Sequence, residues 1–236
     1  GTCSSTTRGI FLGGNQASPN AYNDEISYIH FASEGNGADF GNLTTSCQHS
    51  TGASNETRGL NMGGLNPDNV QNVVDFITIA SIGNSTDFGD LTAATNQAAS
   101  MSSPTRALYV GGATPSLVDT ICFAEISSTG NFVDFGDLIA TNKQGTKGNL
   151  SSQTIGIRAG GFLASDVFTT STEQIQIGSL GNASDFADCN TAVRLSSGAS
   201  NSVNCFLFGG DVDGAVGTNV IQQGNISVGS TWTDFG

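Results

Sequence analysis

Positive charge is what this sequence has least of. Seven lysines and arginines stand against 20 acidic residues, a net of −13 over 236 residues. An acidic surface rich in Ser, Thr and Asn repels nucleic-acid phosphate and anionic lipid, so neither is expected as a partner. No apolar run approaches the ~20 residues that span a bilayer, and no membrane insertion is expected. The first residues carry no basic segment ahead of an apolar core, so no signal peptide is visible in them. Histidine is confined to His30 and His49. His30 sits between Ile29 and Phe31 in a strand-like run, which suits a strand-edge or core histidine better than a base. Nucleophile-elbow, Walker and His-Glu-x-x-His motifs are missing, and Gly35-Asn36-Gly37 lacks the strand–turn–helix setting of a dinucleotide site. Helical periodicity is absent throughout.

Five cysteines (Cys3, Cys47, Cys122, Cys189, Cys205) fall at different places, with no Cys-x-x-Cys spacing. That favours scattered buried thiols over a disulfide framework or zinc site. A pairing such as Cys3–Cys47 stays open.

What is present is a repeat. Residues 57–92 hold Thr57-Arg58-Gly59-Leu60, the pair Gly63-Gly64, a polar loop, the apolar run 73–80, and a close at Gly83-Asn84-Ser85-Thr86-Asp87-Phe88-Gly89-Asp90-Leu91-Thr92. The glycine pair returns at Gly13-Gly14, Gly111-Gly112, Gly160-Gly161 and Gly209-Gly210, at intervals of 50, 48, 49 and 49 residues. Asp-Phe returns at Asp39-Phe40, Asp134-Phe135, Asp185-Phe186 and Asp234-Phe235. A fixed period of this size marks an array of supersecondary units.

Each unit offers four short strands: a small-residue run (50–54, 98–102, 196–200), a strand ended by the glycine pair, an apolar run, and a strand opening at Asp-Phe. In residues 26–31, Ile26 and Tyr28 share one face and Ile29 and Phe31 the other, so both faces need cover. The expected fold is all-β, a five-bladed β-propeller forming a single domain, with blades near 1–46, 47–94, 95–142, 143–192 and 193–236. A parallel β-helix is the alternative, although nothing divides the period into equal coils. Gly1 to Thr7 reads as lying before a second strand, so closure of the ring is expected to bring residues 1–7 near residues 232–236.

The glycine pair ending the second strand and the aromatic opening the fourth resemble kelch repeats. Phe of Asp-Phe-Gly stands where kelch repeats often carry Trp, and their third-strand Tyr survives only as Tyr28. The wording of residues 57–64 and 79–92 looks like the kelch-like repeats in virion proteins of marine bacteriophages. That resemblance implies a tail, fibre or capsid-surface protein, structural or adhesive and not an enzyme. It implies contact with other virion proteins or a host-surface glycan, localisation to the extracellular virion, and a homo-oligomer within the assembly. A secreted or cell-surface lectin-like propeller and a glycan-cleaving propeller enzyme are the alternatives. Copper oxidases of the kelch type need more His and Tyr than two and three.

Arg8, Arg58 and Arg106 precede their glycine pairs by five residues, where the later units have Ile155 and Asn204. They are expected to bond carbonyls or a carboxylate of the adjacent blade rather than a ligand. The five Asp-Phe aspartates are expected in turn bonding, with Phe between blades. Ca²⁺ needs several converging oxygens. Asp211-Val212-Asp213-Gly214 is the best local candidate, yet lacks the later ligands of an EF-hand loop. No metal, cofactor or catalytic residue is assigned. Asn-x-Ser/Thr sequons at Asn42, Asn55, Asn84, Asn149, Asn182 and Asn225 are as many as the composition yields by chance.

The Gly-Asn step before Asp-Phe (Gly35-Asn36, Gly83-Asn84, Gly130-Asn131, Gly181-Asn182) hardly varies, as a turn fixed by backbone geometry would show; the fifth unit has Trp232 instead. Loops after the glycine pairs (15–24, 65–72, 113–119, 162–170, 211–218) vary, and occupy one face of a ring. Loops on a rigid scaffold concentrate recognition, so Tyr22, Asp68, Phe168, Asp211 and Asp213 are the candidate contacts. The alternative is that these are unconstrained solvent loops.

Overall fold

Each repeat folds into its own sheet, strand pairing with the next strand along. The computed structural model describes residues 1–16, 21–142, 144–145, 150–163, 167–212 and 216–236, and among these there are strands and turns but no helix. Blade one is Thr2–Ser4, Arg8–Gln16, Ala21–His30 and Ala38–Asn42; blade two is Thr51–Ser54, Arg58–Leu65, Val70–Thr78 and Thr86–Asp90. Blade three is Ala99–Ser102, Arg106–Val110, Thr120–Glu125 and Val133–Asp137. Blade four has Ile155–Ala159, Thr172–Gln176 and Ser184–Phe186, its innermost position held by a bridge from Ser151 to Gly156. Blade five is Ser197–Ser200, Asn204–Phe208, Ile221–Asn225 and Ser230–Asp234. This is a five-bladed β-propeller. Pairing within each blade is antiparallel between consecutive strands, not the parallel stacking of a β-helix.

Small residues form the innermost strands because neighbouring blades touch there through hydroxyls. Ser54 Oγ donates to Ser4 O (2.8 Å), Ser100 Oγ to Gly52 O (2.7 Å), Ser151 Oγ to Ser102 O (2.8 Å) and Ser200 Oγ to Ser151 O (2.9 Å). A longer side chain would separate the blades and strand these groups unpaired.

The core is divided among the junctions. Ile10, Leu12, Ile26 and Phe40 of blade one meet Ile77 and Ile79 of blade two. Leu60, Met62, Val74 and Phe88 meet Tyr109, Ile126 and Phe132 of blade three. Leu108, Val110, Ile121 and Phe135 meet Ile175 and Ile177 of blade four. Ile157, Ala159 and Phe186 meet Cys205, Leu207, Ile226 and Trp232 of blade five. Full burial of each such side chain contributes roughly 1.5–3 kcal/mol.

Two local expectations are corrected. In blades one and two the second strand does not stop at the glycine pair. It runs on through a bulge, with register shifting between Leu12 and Gly14 and between Met62 and Gly64. The second glycine of a pair sends its N–H to the segment entering the next blade: Gly14 to Cys47 O, Gly64 to Thr95 O, Gly112 to Asn142 O and Gly161 to Val193 O. The kink that points it there needs the left-handed φ near +60° at Gly13, Gly63, Gly111, Gly160 and Gly209. Second, Thr2–Ser4 is itself an innermost strand, whereas Ser230–Asp234 is outermost. Three strand spacings, about 14 Å, lie between those radii, so residues 1–7 and 232–236 are not the closing pair.

Candidate functional site

Phe of each Asp-Phe pair is explained by a second bulge. Register between third and fourth strands shifts at Ile26/Ser27, Val74/Asp75 and Ile121/Cys122, leaving Phe40, Phe88 and Phe135 as the extra residue of the outer strand. A bulge re-aims its extra side chain, and these three phenylalanines, with Phe186, are buried between blades. Asp39, Asp87, Asp134, Asp185 and Asp234 are exposed. Turn bonding by the aspartates is seen only at Asp234, whose Oδ1 accepts from Gly236 N at 3.2 Å among the described residues. The asparagines do the work instead: Oδ1 of Asn84, Asn131 and Asn182 accepts from the backbone N of Asn42, Asp90 and Asp137 in the preceding blade.

The repeated arginines reach the other way. Nη1 of Arg8, Arg58 and Arg106 donates to the carbonyls of Ile79 (2.8 Å), Ile126 (3.1 Å) and Ile177 (3.0 Å) in the following blade. Each guanidinium lies over an aromatic ring of its own blade: Tyr28 at 4.9 Å, Phe76 at 4.6 Å and Phe123 at 4.8 Å.

On the loop face, Tyr22 pairs with Asn15 in the first hairpin and is half-buried. Asp68 is exposed in a turn whose Asn66 Oδ1 accepts from the N–H groups of Asp68 (3.0 Å) and Asn69 (2.8 Å). Phe168 and Asp211 converge on a residue that sequence reasoning missed, Arg194. Its guanidinium lies 4.9 Å from the Phe168 ring and 5.4 Å from the Phe162 ring. Nη2 stands 3.5 Å from Asp211 Oδ2, and Nη1 donates to Gln144 Oε1 at 3.4 Å. The backbones of Arg194 and Asp211 also exchange both hydrogen bonds. A signal was available: Gln48, Asn96 and Arg194 hold the same place, each bridged to the residue after the glycine pair, Leu65, Ala113 and Asp211. Only in the last does a basic residue face an acidic one.

Asp213 and Gly214 lie outside the described residues. The Asp211 carboxylate faces the Arg194 guanidinium, and no three His, Cys, Asp or Glu side chains among the described residues are grouped to hold a metal.

An open axial cavity of about 660 Å³ is lined mainly by Ser, Gly and Ala of all five blades and extends along Phe11, Ile29 and Phe31 of blade one. Glu56 is the one carboxylate among its described lining residues, and its Oε2 accepts from Thr6 N (3.1 Å) and Thr6 Oγ1 (3.0 Å). Along the axis a backbone spiral runs from blade to blade: Gln97 N–H to His49 O, Gln144 to Gln97 and Leu195 to Gln144. All four residues have φ between +53° and +58°, a strained setting for a side-chain-bearing residue.

Buried charge occurs in blade four, where Arg158 Nη2 lies 3.0 Å from Glu173 Oε1 with both side chains enclosed. Burial lowers the Arg158 pKa against the pull of Glu173. Glu173 Oε2 also accepts from Ile139 N of blade three at 2.9 Å. Asp75 and Gln222 hold the same place in their blades and likewise accept from Thr44 N and Thr191 N of the blade before. All five cysteines are free thiols.

Comparison with models of known protein families gives no match, and comparison with curated proteins gives none either.

Proposed function

We propose that the chain is a non-enzymatic binding module of a bacteriophage virion, on a tail, fibre or capsid surface, whose post-glycine loops meet a host-surface glycan or a neighbouring virion protein. The kelch-like wording of residues 57–64 and 79–92 supports the virion reading. The observation that carries the binding reading is a division of labour among repeated positions. The Gly-Asn steps at Asn84, Asn131 and Asn182, the arginines before the glycine pairs and Phe40, Phe88, Phe135 and Phe186 of Asp-Phe are consumed in holding blade to blade, whereas Phe235 is exposed. The loops after the glycine pairs recur in place but not in content, and carry Asp68, the Phe162–Phe168 ring pair and Asp211, which pairs with Arg194 from the neighbouring segment. Aromatic and planar charged groups on a rigid frame suit glycan or protein contact. Glycan cleavage calls for two carboxylates about 5–9.5 Å apart, and the described lining of the axial cavity offers Glu56 alone.

A variant carrying Gly-Ser-Gly-Ser at 66–69 together with Phe168→Ser and Asp211→Ser tests the reading. It should stay folded by circular dichroism while losing binding to bacterial surface polysaccharides on an array, or to purified virions. Undiminished binding in both assays removes the loop face from the function. Release of labelled oligosaccharide by the unaltered chain would replace binding by cleavage.

A further inference from the structure

One cross-strand pair in each blade faces the segment that enters that blade, and its chemistry differs from blade to blade. Asn61 stands opposite Asp75 in blade two, Tyr109 opposite Cys122 in blade three, Arg158 opposite Glu173 in blade four and Leu207 opposite Gln222 in blade five. In three of these blades the third-strand member is a carboxylate or carboxamide that accepts a backbone N–H of the entering segment. Asp75 accepts from Thr44, Glu173 from Ile139 and Gln222 from Thr191, each at 2.9 Å. Asp75 also takes the hydroxyls of Thr44 (2.7 Å) and Ser85 (3.0 Å). Blade three offers a thiol instead. Thr92 follows Leu91 as Thr44 follows Leu43, and its N–H and hydroxyl meet the sulfur of Cys122, a weak acceptor.

A cavity of about 270 Å³ lies at this place, with Thr92, Thr95, Tyr109, Val118, Thr120 and Cys122 in its walls. In blade four the counterparts are joined directly: Arg158 donates to Gly160 O, to Ser171 O and to Glu173, which in turn holds Ile139 N. Thr92 is exposed and Val118 half-buried, so the cavity is reached from solvent; Tyr109 and Cys122, 2% and 3% exposed, form its depth. The Tyr109 hydroxyl donates to Thr95 O at 2.9 Å, so its oxygen can still accept. None of the described lining residues is charged. Asp134 stands opposite Cys122 in the ladder, and the place of Ser85, whose hydroxyl helps Asp75 bear its charge, is taken by Phe132. A carboxylate here would meet a like charge with no cation to offset it; an amide would not.

We infer that this cavity is a binding site for a small uncharged molecule bearing a carboxamide, whose carbonyl accepts from Thr92 and whose N–H donates to the Tyr109 oxygen. The bound group replaces the acceptor that the chain itself supplies in blades two, four and five. The site lies at the junction of blades two and three and does not rest on the virion reading.

Proton–nitrogen correlation spectra of the full chain test it. Acetamide and N-methylacetamide should shift the backbone amides of Thr92 and Cys122 saturably, with dissociation constants of about 1–10 mM for ligands of so few atoms. Acetate, of the same shape but charged, should leave both in place. Cys122→Gln, which tethers a carboxamide at the site as Gln222 does in blade five, should raise the melting temperature by about 2–4 °C and abolish the shifts. Val118→Phe narrows the cavity with Cys122 left in place and should abolish them too. N-acetylglucosamine set against glucose distinguishes the sources: saturation by the acetylated sugar and not by glucose assigns the amide to a sugar, and saturation by the simple amides alone assigns it to an amide outside one. No saturable shift with any amide, an equal response to acetate, or shifts that survive both substitutions overturns the inference.

Discussion

Gly83 donates its N–H to the carbonyl of Phe40 at 2.8 Å, across the boundary between the first two blades. Two residues further, Ser85 N donates to Asn42 O at 2.8 Å while Asn84 Oδ1 accepts from Asn42 N at 3.0 Å. Gly130 and Gly181 make the same bond to Phe88 and Phe135. The step that hardly varies between repeats is therefore half of an interblade ladder, and its constancy reflects a partner some forty residues away as much as local turn geometry. Trp232 takes the place of Phe132, three residues before the Asp-Phe phenylalanine, and fills space left by Gly224, where a Cβ would lie 2.9 Å from the indole.

The ladder requires glycine on its other side. Gly89 has φ +144°, and a Cβ there would stand 2.5 Å from Gly130 O. Gly89→Ala should lower the free energy of unfolding by about 2–4 kcal/mol, through backbone strain and separation of blades two and three. Gly178→Ala, at an exposed site with nothing within 4 Å, should change it by less than about 0.5 kcal/mol. Urea melts of the two variants check both expectations.

Arg58→Ala should cost about 1–3 kcal/mol, the scale of a hydrogen bond from a charged group, since it removes the bond to Ile126 O and uncovers Phe76. Arg58→Lys should recover only part, because an ammonium lacks the planar fork that stacks on the ring and reaches the carbonyl together. Chemical denaturation measures the stability; binding to any loop-face ligand should be unchanged in both variants.

Blade five solves the Arg158–Glu173 problem without charge, with Leu207 and Gln222 at the same two places. Arg158→Leu alone and Glu173→Gln alone should each destabilise by about 3–5 kcal/mol, each leaving an uncompensated or unpaired buried group. The double variant, which installs the blade-five pair, should regain most of that loss. A double-mutant cycle reads the coupling; additive losses would show that the two side chains act separately.

Burial pushes the Cys189 thiol up to about 11 and the Cys205 thiol up to about 12. Both thiols stay protonated in the folded chain at neutral pH, so iodoacetamide should label them only after unfolding. In the unfolded chain a thiol ionises near pH 8.5. The unfolded state therefore loses protons first, and the stability these residues contribute, complete below about pH 8.5, should fall as pH rises towards 11–12. Unfolding midpoints between pH 7 and 10.5 give the slope, which should shrink in Cys189→Ala and Cys205→Ala.

The strand pattern, the count of five blades and the role of small residues at the axis were legible in the chain, because each depends on periods of two residues within a strand and about forty-nine between units. Direction could also be read in part. That Ile26 and Tyr28 oppose Ile29 and Phe31 follows from alternation, and Ile26 and Tyr28 do join the junction with blade two. The Arg194 cluster was less legible, since Arg194 meets Phe168 and Asp211 only after three different loops are brought to one place.

Local alternation records that a face must be buried and leaves open what buries it. Ile29 and Phe31 read as core residues no less than Ile77 and Ile79, yet Phe31 is exposed while Ile79 is enclosed in the junction between blades one and two. The asparagine of a Gly-Asn step, the arginine ahead of a glycine pair and the phenylalanine in an outer-strand bulge each find their partners 40 to 71 residues away. Sequence by itself determined the blades, since a blade is made of neighbours along the chain. Which faces meet was decided by the tertiary arrangement, since a junction exists only where two separately folded sheets come within van der Waals reach.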